Sequence, residues 1–161
     1  MPATLVTASE SSIIAAGWTV GPQGTLLVAA AVGRDRRTDI DPSEVGEYEY
    51  HVNDIDLQMA DLRAEPEMYL VNAAARGIEF STEMLRAANG LPGCDMLCGI
   101  VSVFVDVEDE LFDIQGVTVR FTTRRGGYPD WLGDLDRFEH HAVAVLDSSD
   151  AGSAPLLWRS R

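Results

Sequence analysis

The stretch CGIVSVFVDVEDELFDIQGVTVRFTTRR, from Cys98 to Arg125, decides the fold of this chain. Between Val101 and Val107 its valines alternate with other residues, the two-residue period of a strand with one buried face. Three acidic residues then mark a turn, and the chain returns through a segment rich in Val, Ile, Phe and Thr. The pattern predicts a long antiparallel β-ribbon with an acidic tip.

The returning half of this ribbon changes phase at Gly116. Phe112 and Ile114 occupy even positions, whereas Val117 and Val119 occupy odd positions. A strand cannot move its apolar side chains to the other face without an extra residue. We therefore predict a β-bulge at Gly116.

Two further strand regions precede the ribbon. The loop Gly21-Pro22-Gln23-Gly24 separates two apolar, β-branched segments, residues 13–20 and 25–32, and so predicts a hairpin. The second segment is apolar on both faces, which is typical of a strand in the middle of a sheet or against a second molecule. Tyr and Val alternate with Glu and His over residues 48–52, which predicts a third strand.

The middle of the chain changes to helical spacing. Apolar residues recur every three to four positions over residues 54–62, behind Asp54 as a candidate N-cap. Two more helices are predicted over residues 66–77 and 81–90, each ending at a glycine. After the ribbon and a short helical segment, residues 139–146 alternate again and predict a last strand.

This order of elements predicts an α+β fold. We expect a mostly antiparallel sheet of about five to six strands, with about two to four short helices on one side. The 161 residues fit one domain, residues 1–161. Within it, the small and polar residues 1–11 are interpreted as an N-terminal tail or arm, and residues 147–161 as a C-terminal tail.

Charge is the strongest signal in the composition. The chain has 26 acidic and 12 basic residues, a net charge of −14, and every basic residue is Arg. Such a charge disfavours binding to nucleic acid or to anionic membranes, because both depend on Lys and Arg. Three explanations stay open: a GC-rich genome that replaces Lys by Arg, a high-salt cytoplasm, or a basic partner.

Neither a catalytic centre nor a cofactor site is predicted. There is no Gly-x-Ser-x-Gly elbow, no His-Glu-x-x-His motif and no Gly-rich phosphate loop. A hydrolase that uses paired carboxylates stays an alternative, because carboxylates can meet in space without any sequence motif. No metal site is expected; the weak candidates are Asp130, Asp134 and Asp136, which do not match an EF-hand loop.

Cysteine and histidine do not form a convincing zinc motif either. Cys94 and Cys98 could supply one pair of ligands, but no second closely spaced pair is present. His140 and His141 are adjacent in a predicted strand, so their side chains point to opposite faces. We interpret both cysteines as reduced and buried.

Interface candidates lie at the C-terminus and at both ends of the ribbon. Trp158 is flanked by Arg159 and Arg161, and aromatic and Arg side chains dominate interface hot spots. The acidic tip of one copy could also meet the Arg-rich base of the ribbon in another, head to tail. The ribbon residues of this prediction are Glu108, Asp109, Glu110, Arg124 and Arg125.

We therefore expect a non-enzymatic assembly or structural protein that acts through protein–protein contacts, a viral particle component being one such protein. Its partners would be copies of itself or a basic protein, with no nucleic acid, membrane or cofactor. No basic segment precedes an apolar stretch at the N-terminus, so we expect no secretory signal and a cytoplasmic or virion location. The first alternative is an acidic inhibitor or immunity-type protein; the second is a small hydrolase or ligand-binding domain that uses carboxylates.

Overall fold

The computed structural model describes residues 4–33 and 37–152 of the chain. The helices and strands are, in order, α1 (Ala8–Ala16), β1 (Trp18–Val20), β2 (Leu26–Val28), α2 (Val45–Val52), β3 (Asp54–Leu57), α3 (Tyr69–Ala87), β4 (Leu97–Phe104), β5 (Val117–Thr123), β6 (His141–Asp147) and α4 (Ser148–Gly152). The predicted α+β class is confirmed. The six strands form two antiparallel sheets, one of two strands and one of four.

The four-stranded sheet has the strand order β3-β5-β4-β6 and carries α3 on one face. In the register, Val119 of β5 lies opposite Ile55 on one side and Val101 on the other. These side chains form one apolar row of the core, in which Val119 is fully buried. The predicted pairing of the two ribbon halves is confirmed from Leu97 opposite Thr123 to Val103 opposite Val117, but the ribbon is shorter than predicted, since β4 ends at Phe104 and β5 begins at Val117.

Helix α3 is one continuous helix where two shorter helices were predicted. Gly77, the predicted stop, lies inside α3, and a Cβ atom placed there would lie 2.5 Å from Cγ1 of Val101. Gly77 therefore allows the helix to approach the sheet closely. The prediction that a helix ends at Gly77 was wrong because the packing against β4, which offsets the helix propensity cost of glycine, cannot be read from a local stop signal.

Helix α2 occupies residues that were predicted as a strand. The buried residues of this helix include Val45, Tyr48, Glu49 and Val52, at the spacing i, i+3, i+4, i+7 of one helical face. The alternation over residues 48–52 misled the prediction because five residues are too few to separate the two periods.

Strand β3 occupies residues that were predicted as the start of a helix. Ile55 and Leu57 face the core and pair with β5 in the four-stranded sheet. Leu62 belongs to a separate short turn of 3₁₀ helix, Leu62–Ala64. The apparent helical spacing therefore combined apolar residues from two different elements.

The predicted hairpin is confirmed at its core. Strands β1 and β2 pair antiparallel around the glycine-rich turn, with Thr19 opposite Leu27. Both strands are shorter than predicted, since α1 covers residues 8–16 and a turn of 3₁₀ helix, Ala29–Ala31, follows β2. Helix α1 begins inside the segment interpreted as an N-terminal arm, and α4 lies inside the segment interpreted as a C-terminal tail.

The phase change at Gly116 marks the start of a strand and not a bulge within one. Strand β5 begins at Val117, and the carbonyl of Gly116 accepts a hydrogen bond from the Phe104 amide at 3.1 Å. The residues before Gly116 form turns. Phe112 and Ile114 therefore never belonged to the strand whose phase they appeared to break.

Two buried side chains connect the two sheets, one from Glu49 of α2 and one from Asn53, the residue that follows the helix. Glu49 accepts hydrogen bonds from the amide of Leu26 at 2.8 Å and from the amide of Thr123 at 2.6 Å. Asn53 accepts one from the amide of Val28 at 2.8 Å and donates to the carbonyl of Phe121 at 3.1 Å. Strand β3 ends its pairing with β5 at Arg120, so these side chains bind β5 just beyond its pairing with β3.

The pKa of Glu49 gives a test of this connection. Burial raises the pKa above the ordinary value of 4.5, against the lowering effect of hydrogen bonds from Thr123 and Leu26 and of the Arg125 charge. As the pH rises through the window above 4.5, the unfolded chain loses this proton before the folded chain does. The contribution of the raised pKa to stability is present below that window and is lost as the pH rises through it.

We predict that Glu49→Gln is less stable than the native protein by about 1–3 kcal/mol at low pH, because the new amide group must face a backbone N–H. The difference should shrink as the pH rises from about 4 towards 7. Urea unfolding at a series of pH values measures it. A difference that grows with pH would contradict the raised pKa.

Candidate functional site

The segment between β4 and β5, residues 105–116, is here called the tip loop. It exposes three large apolar side chains: Val107 is 59% exposed, Leu111 41% and Ile114 78%. The acidic residues among them are Asp106, Glu108, Asp109, Glu110 and Asp113. Water-exposed apolar side chains concentrated in one loop are typical of a contact surface.

The tip loop is ordered by its own polar groups. The Asp106 carboxylate accepts a hydrogen bond from the Glu108 amide at 3.2 Å, and the Asp109 carboxylate accepts one from the Leu111 amide at 2.7 Å. The Gln115 amide donates to the carbonyl of Leu111 at 2.8 Å. The two aspartate bonds define successive turns, since an aspartate side chain readily accepts a hydrogen bond from the backbone amide two residues later.

An aromatic anchor attaches the tip loop to the rest of the protein. The Phe112 ring lies 5.6 Å from the Tyr69 ring at the start of α3 and 6.4 Å from the Phe104 ring at the end of β4. Phe112 thus points inward while its neighbours Leu111 and Ile114 point outward. The loop has an inner face that belongs to the core and an outer face that is exposed.

Arg63, in the turn Leu62–Ala64, binds the backbone of the tip loop. Its guanidinium donates to the carbonyls of Phe112 and Gln115, both at 3.0 Å, and to the Asp113 carboxylate at 3.2 Å. The same group lies 4.8 Å from the centre of the Tyr69 ring. One guanidinium therefore satisfies two loop carbonyls and stacks on an aromatic ring, which restricts the loop to one conformation.

The other side of the loop is bonded to the approach to β6. The His140 imidazole lies 2.9 Å from the Asp106 carboxylate, and the Val105 amide donates to the carbonyl of His140 at 3.0 Å. The tip loop is thus held at both ends and in its middle.

A cleft of about 490 Å³ lies between the loop and the sheet. Its floor is the sheet face opposite α3, where Asp56, Thr118 and Ser102 follow one register row across β3, β5 and β4. His141 of β6 also lines it, and the Thr118 hydroxyl donates to the Asp56 carboxylate at 3.0 Å. Ala60, Arg63 and residues 113–116 also line the cleft, and Leu57 and Met59, whose side chains are buried in the core, complete the lining.

The electrostatics of the cleft are dominated by one carboxylate. Burial lowers the pKa of His141, and the neighbouring His140 and Arg120 charges lower it further, so the imidazole is neutral at pH 7. Asp113 is neutralised by Arg63. Asp56 is the carboxylate of the lining that has no cation within 4.0 Å in the described parts of the chain.

The predicted basic base of the ribbon is engaged within the molecule. The Arg125 guanidinium donates to the carbonyls of Gln23 at 3.0 Å and Gly24 at 2.6 Å, and lies 3.9 Å from Glu49. The Arg124 guanidinium lies 4.0 Å from the Asp147 carboxylate. These two arginines bind the hairpin turn and the end of β6, and they lie at the opposite end of β5 from the tip loop.

The other predicted site residues do not gather into a site. Trp158, Arg159 and Arg161 lie outside the described residues. Asp130, Asp134 and Asp136 lie in or beside two short 3₁₀ turns, and within the described residues no group of three or more His, Cys, Asp or Glu side chains could hold a metal. Cys94 and Cys98 are not disulfide-bonded, and burial raises the pKa of the Cys98 thiol.

Sequence reasoning found the acidic tip but missed what supports it. Arg63 carries no signal in the sequence, because a single Arg between two predicted helices resembles any solvated charge. The row Asp56, Thr118 and Ser102 becomes visible only when the strand register is known. Phe112 was noticed, but it was assigned to a strand instead of to an anchor.

Comparison with protein-family models, with curated proteins and with solved structures gives no match for this chain. Among the described residues, no helix is both long enough and apolar enough to cross a membrane. The site must therefore be interpreted from its own geometry.

We predict that Arg63→Ala lowers the free energy of unfolding by about 1–3 kcal/mol, because two loop carbonyls lose a charged donor. Asp113→Asn is the matched control: the Asp113 side chain is 93% exposed, so its loss should cost less than about 1 kcal/mol. Urea denaturation of both variants measures the difference. Equal effects would show that the ion pair, and not the support of the loop backbone, is what Arg63 contributes.

Proposed function

We propose that this protein is a non-enzymatic binding protein that covers a basic surface of a partner protein, as an inhibitor or immunity-type protein does. The tip loop is the contact surface. The observation that carries the proposal is the exposure of Val107, Leu111 and Ile114 on a loop that is otherwise held by Arg63, Phe112 and its own carboxylates.

The composition of the tip loop suits a protein interface. Apolar side chains surrounded by polar ones reproduce the arrangement of an interface core and its rim. The loop is also preorganised, so little conformational entropy is lost when it binds. A loop that served only to connect two strands would not need an arginine beneath it and an aromatic anchor.

Charge selects the kind of partner. Seven arginines in the described part of the chain lie within 4.0 Å of a carboxylate: Arg37, Arg63, Arg76, Arg86, Arg120, Arg124 and Arg125. At the tip, by contrast, Glu108, Asp109 and Glu110 have no such cation among the described residues. An uncompensated acidic surface steers a basic protein towards it and repels copies of this chain.

A self-assembling structural protein is the second candidate, and the outer edge of β6 favours it. β6 is an edge strand of the four-stranded sheet. An antiparallel pair of β6 strands centred on Ala144 would place His141 opposite Asp147 of the other copy. The head-to-tail contact has less support, because Arg124 and Arg125 already bind groups of their own chain.

The experiment compares the native protein with the triple variant Val107→Ser, Leu111→Ser, Ile114→Ser. Val20→Ser is the control, because Val20 is 47% exposed but lies on the hairpin. Each protein is immobilised and exposed to a lysate of the native host, and captured proteins are identified and then purified for titration. We expect a basic partner that the native protein and the control bind equally and that the triple variant binds at least about tenfold more weakly.

The salt dependence of the same titration is the second readout. We expect the affinity for the partner to fall as the ionic strength rises, because charge steering is screened. The proposal would be contradicted if the triple variant bound the partner with the same affinity as the native protein, or if the affinity did not depend on salt. Sedimentation of the free protein addresses the second candidate: a monomer over a roughly hundredfold range of concentration would exclude self-assembly as its function.

A further inference from the structure

We propose that the cleft between the tip loop and the sheet binds a guanidinium group, and that its natural occupant is an arginine side chain of the partner. The identification of the occupant as a partner's arginine rests on the proposed function. The existence of a guanidinium site is argued from the cleft alone.

The first argument is the set of acceptors on the floor. Asp56, Thr118 and Ser102 follow one another across three neighbouring strands, and adjacent strands are about 4.8 Å apart. One oxygen of Asp56 accepts from the Thr118 hydroxyl, and the other accepts from no group in the described chain. The Ser102 hydroxyl likewise has no hydrogen-bond partner among the described residues, although it is half-buried. The floor therefore offers acceptors at intervals of one strand.

The second argument is the charge of the lining. Arg63 is the cation of the lining, and three of its five donors bind Phe112, Gln115 and Asp113. The His141 imidazole is neutral at pH 7 and can accept a hydrogen bond. With Asp113 paired, the cleft keeps one negative charge, on Asp56. A cationic ligand would neutralise it, whereas an anionic ligand would add to it.

The third argument is the apolar part of the walls. Ile114, which is 78% exposed, and the exposed Ala60 line the cleft, whereas the Leu57 and Met59 side chains are buried in the core. A ligand with an aliphatic stem and a charged end would contact Ile114 and Ala60 with its stem while the charged end reached Asp56. The volume of about 490 Å³ lies in the range of about 300–1,000 Å³ that is usual for small-ligand sites.

These arguments favour arginine over lysine. A guanidinium has five donors in a planar fork, so it can bind Asp56 while a further N–H is directed along the row towards Thr118 and Ser102. An ammonium is a compact charge and would satisfy Asp56 alone. Ile114 also belongs to the exposed apolar surface of the tip loop, which makes the cleft continuous with the proposed contact surface.

The test uses the purified protein and Nα-acetyl-arginine methylamide, followed by the amide shifts of Ser102, Thr118 and Gly116 in ¹H–¹⁵N NMR spectra. Two probes serve as comparisons: the citrulline analogue, which has the same shape without the charge, and the lysine analogue. We expect saturable shifts at the three amides with the arginine probe, and about three- to fivefold weaker binding of the citrulline probe, because Asp56 is exposed and an exposed ion pair contributes little.

Variants complete the test. Asp56→Asn should weaken the binding of the arginine probe about three- to fivefold, because Asp56 is exposed and its ion pair is screened by solvent. Asp39→Asn removes the same charge from an exposed position outside the lining and should leave the affinity within about twofold, since exposed distant charges are screened. Ser102→Ala keeps the Asp56–Thr118 bond and should lower the preference for arginine over lysine. Equal effects of Asp56→Asn and Asp39→Asn, equal binding of citrulline, or no saturable shift at the solubility limit of the probe would overturn the proposal.

Failure here and failure of the proposed function are distinguishable. If the arginine probe binds at the cleft but the tip-loop variant keeps its partner, the site stands and the proposed function falls. If the partner depends on the tip loop but the probe does not bind, the contact surface stands and the cleft is not its anchor.

Discussion

The structure depends on the pair of buried polar side chains, Glu49 and Asn53, that α2 places between the two sheets. They lie one helical turn apart and so point in the same direction. They make six hydrogen bonds, which satisfy the amides of Leu26, Val28 and Thr123, the carbonyls of Leu26 and Phe121 and the hydroxyl of Thr123. Buried backbone N–H and C=O groups of β2 and β5 thus find hydrogen-bond partners in Glu49 and Asn53. Because an unsatisfied buried backbone group costs about 1–3 kcal/mol, this connection determines where the hairpin can sit against β5.

The position of β5 in turn determines the tip loop and the cleft. β5 pairs with β3 and β4 at once, and this double pairing aligns Asp56, Thr118 and Ser102 in one row. The same register ends β4 at Phe104 and begins β5 at Val117, which leaves the intervening residues to form turns. The apolar residues of this loop divide into Val105 and Phe112, which pack against the core, and Val107, Leu111 and Ile114, which are exposed. The contact surface is therefore a consequence of the register, with Arg63 as its support.

The sequence was sufficient for features whose signal is local and long. The ribbon strands, the glycine-rich hairpin turn and the acidic tip all rest on patterns of several residues within one element. The sequence was insufficient where a short segment fits both the helical and the strand period, as in α2. It was also insufficient where packing against a distant strand determines whether a helix continues, as at Gly77. The charge of the tip could be predicted, but its rigidity could not, because the side chain that supports it lies about fifty residues away with no distinguishing neighbours. The cleft was invisible because its floor is contributed by four strands.

The central claim is that the tip loop is a preformed contact surface and not a mobile connection. ¹⁵N relaxation of the free protein measures this directly, through the backbone order parameters of residues 105–116. The account predicts values close to those of β4 and β5, about 0.85, for the amides of Leu111, Ile114 and Gln115. Values below about 0.6 for these amides would contradict it, because the loop would then have to be ordered by its partner and its exposed side chains would not be preorganised for binding.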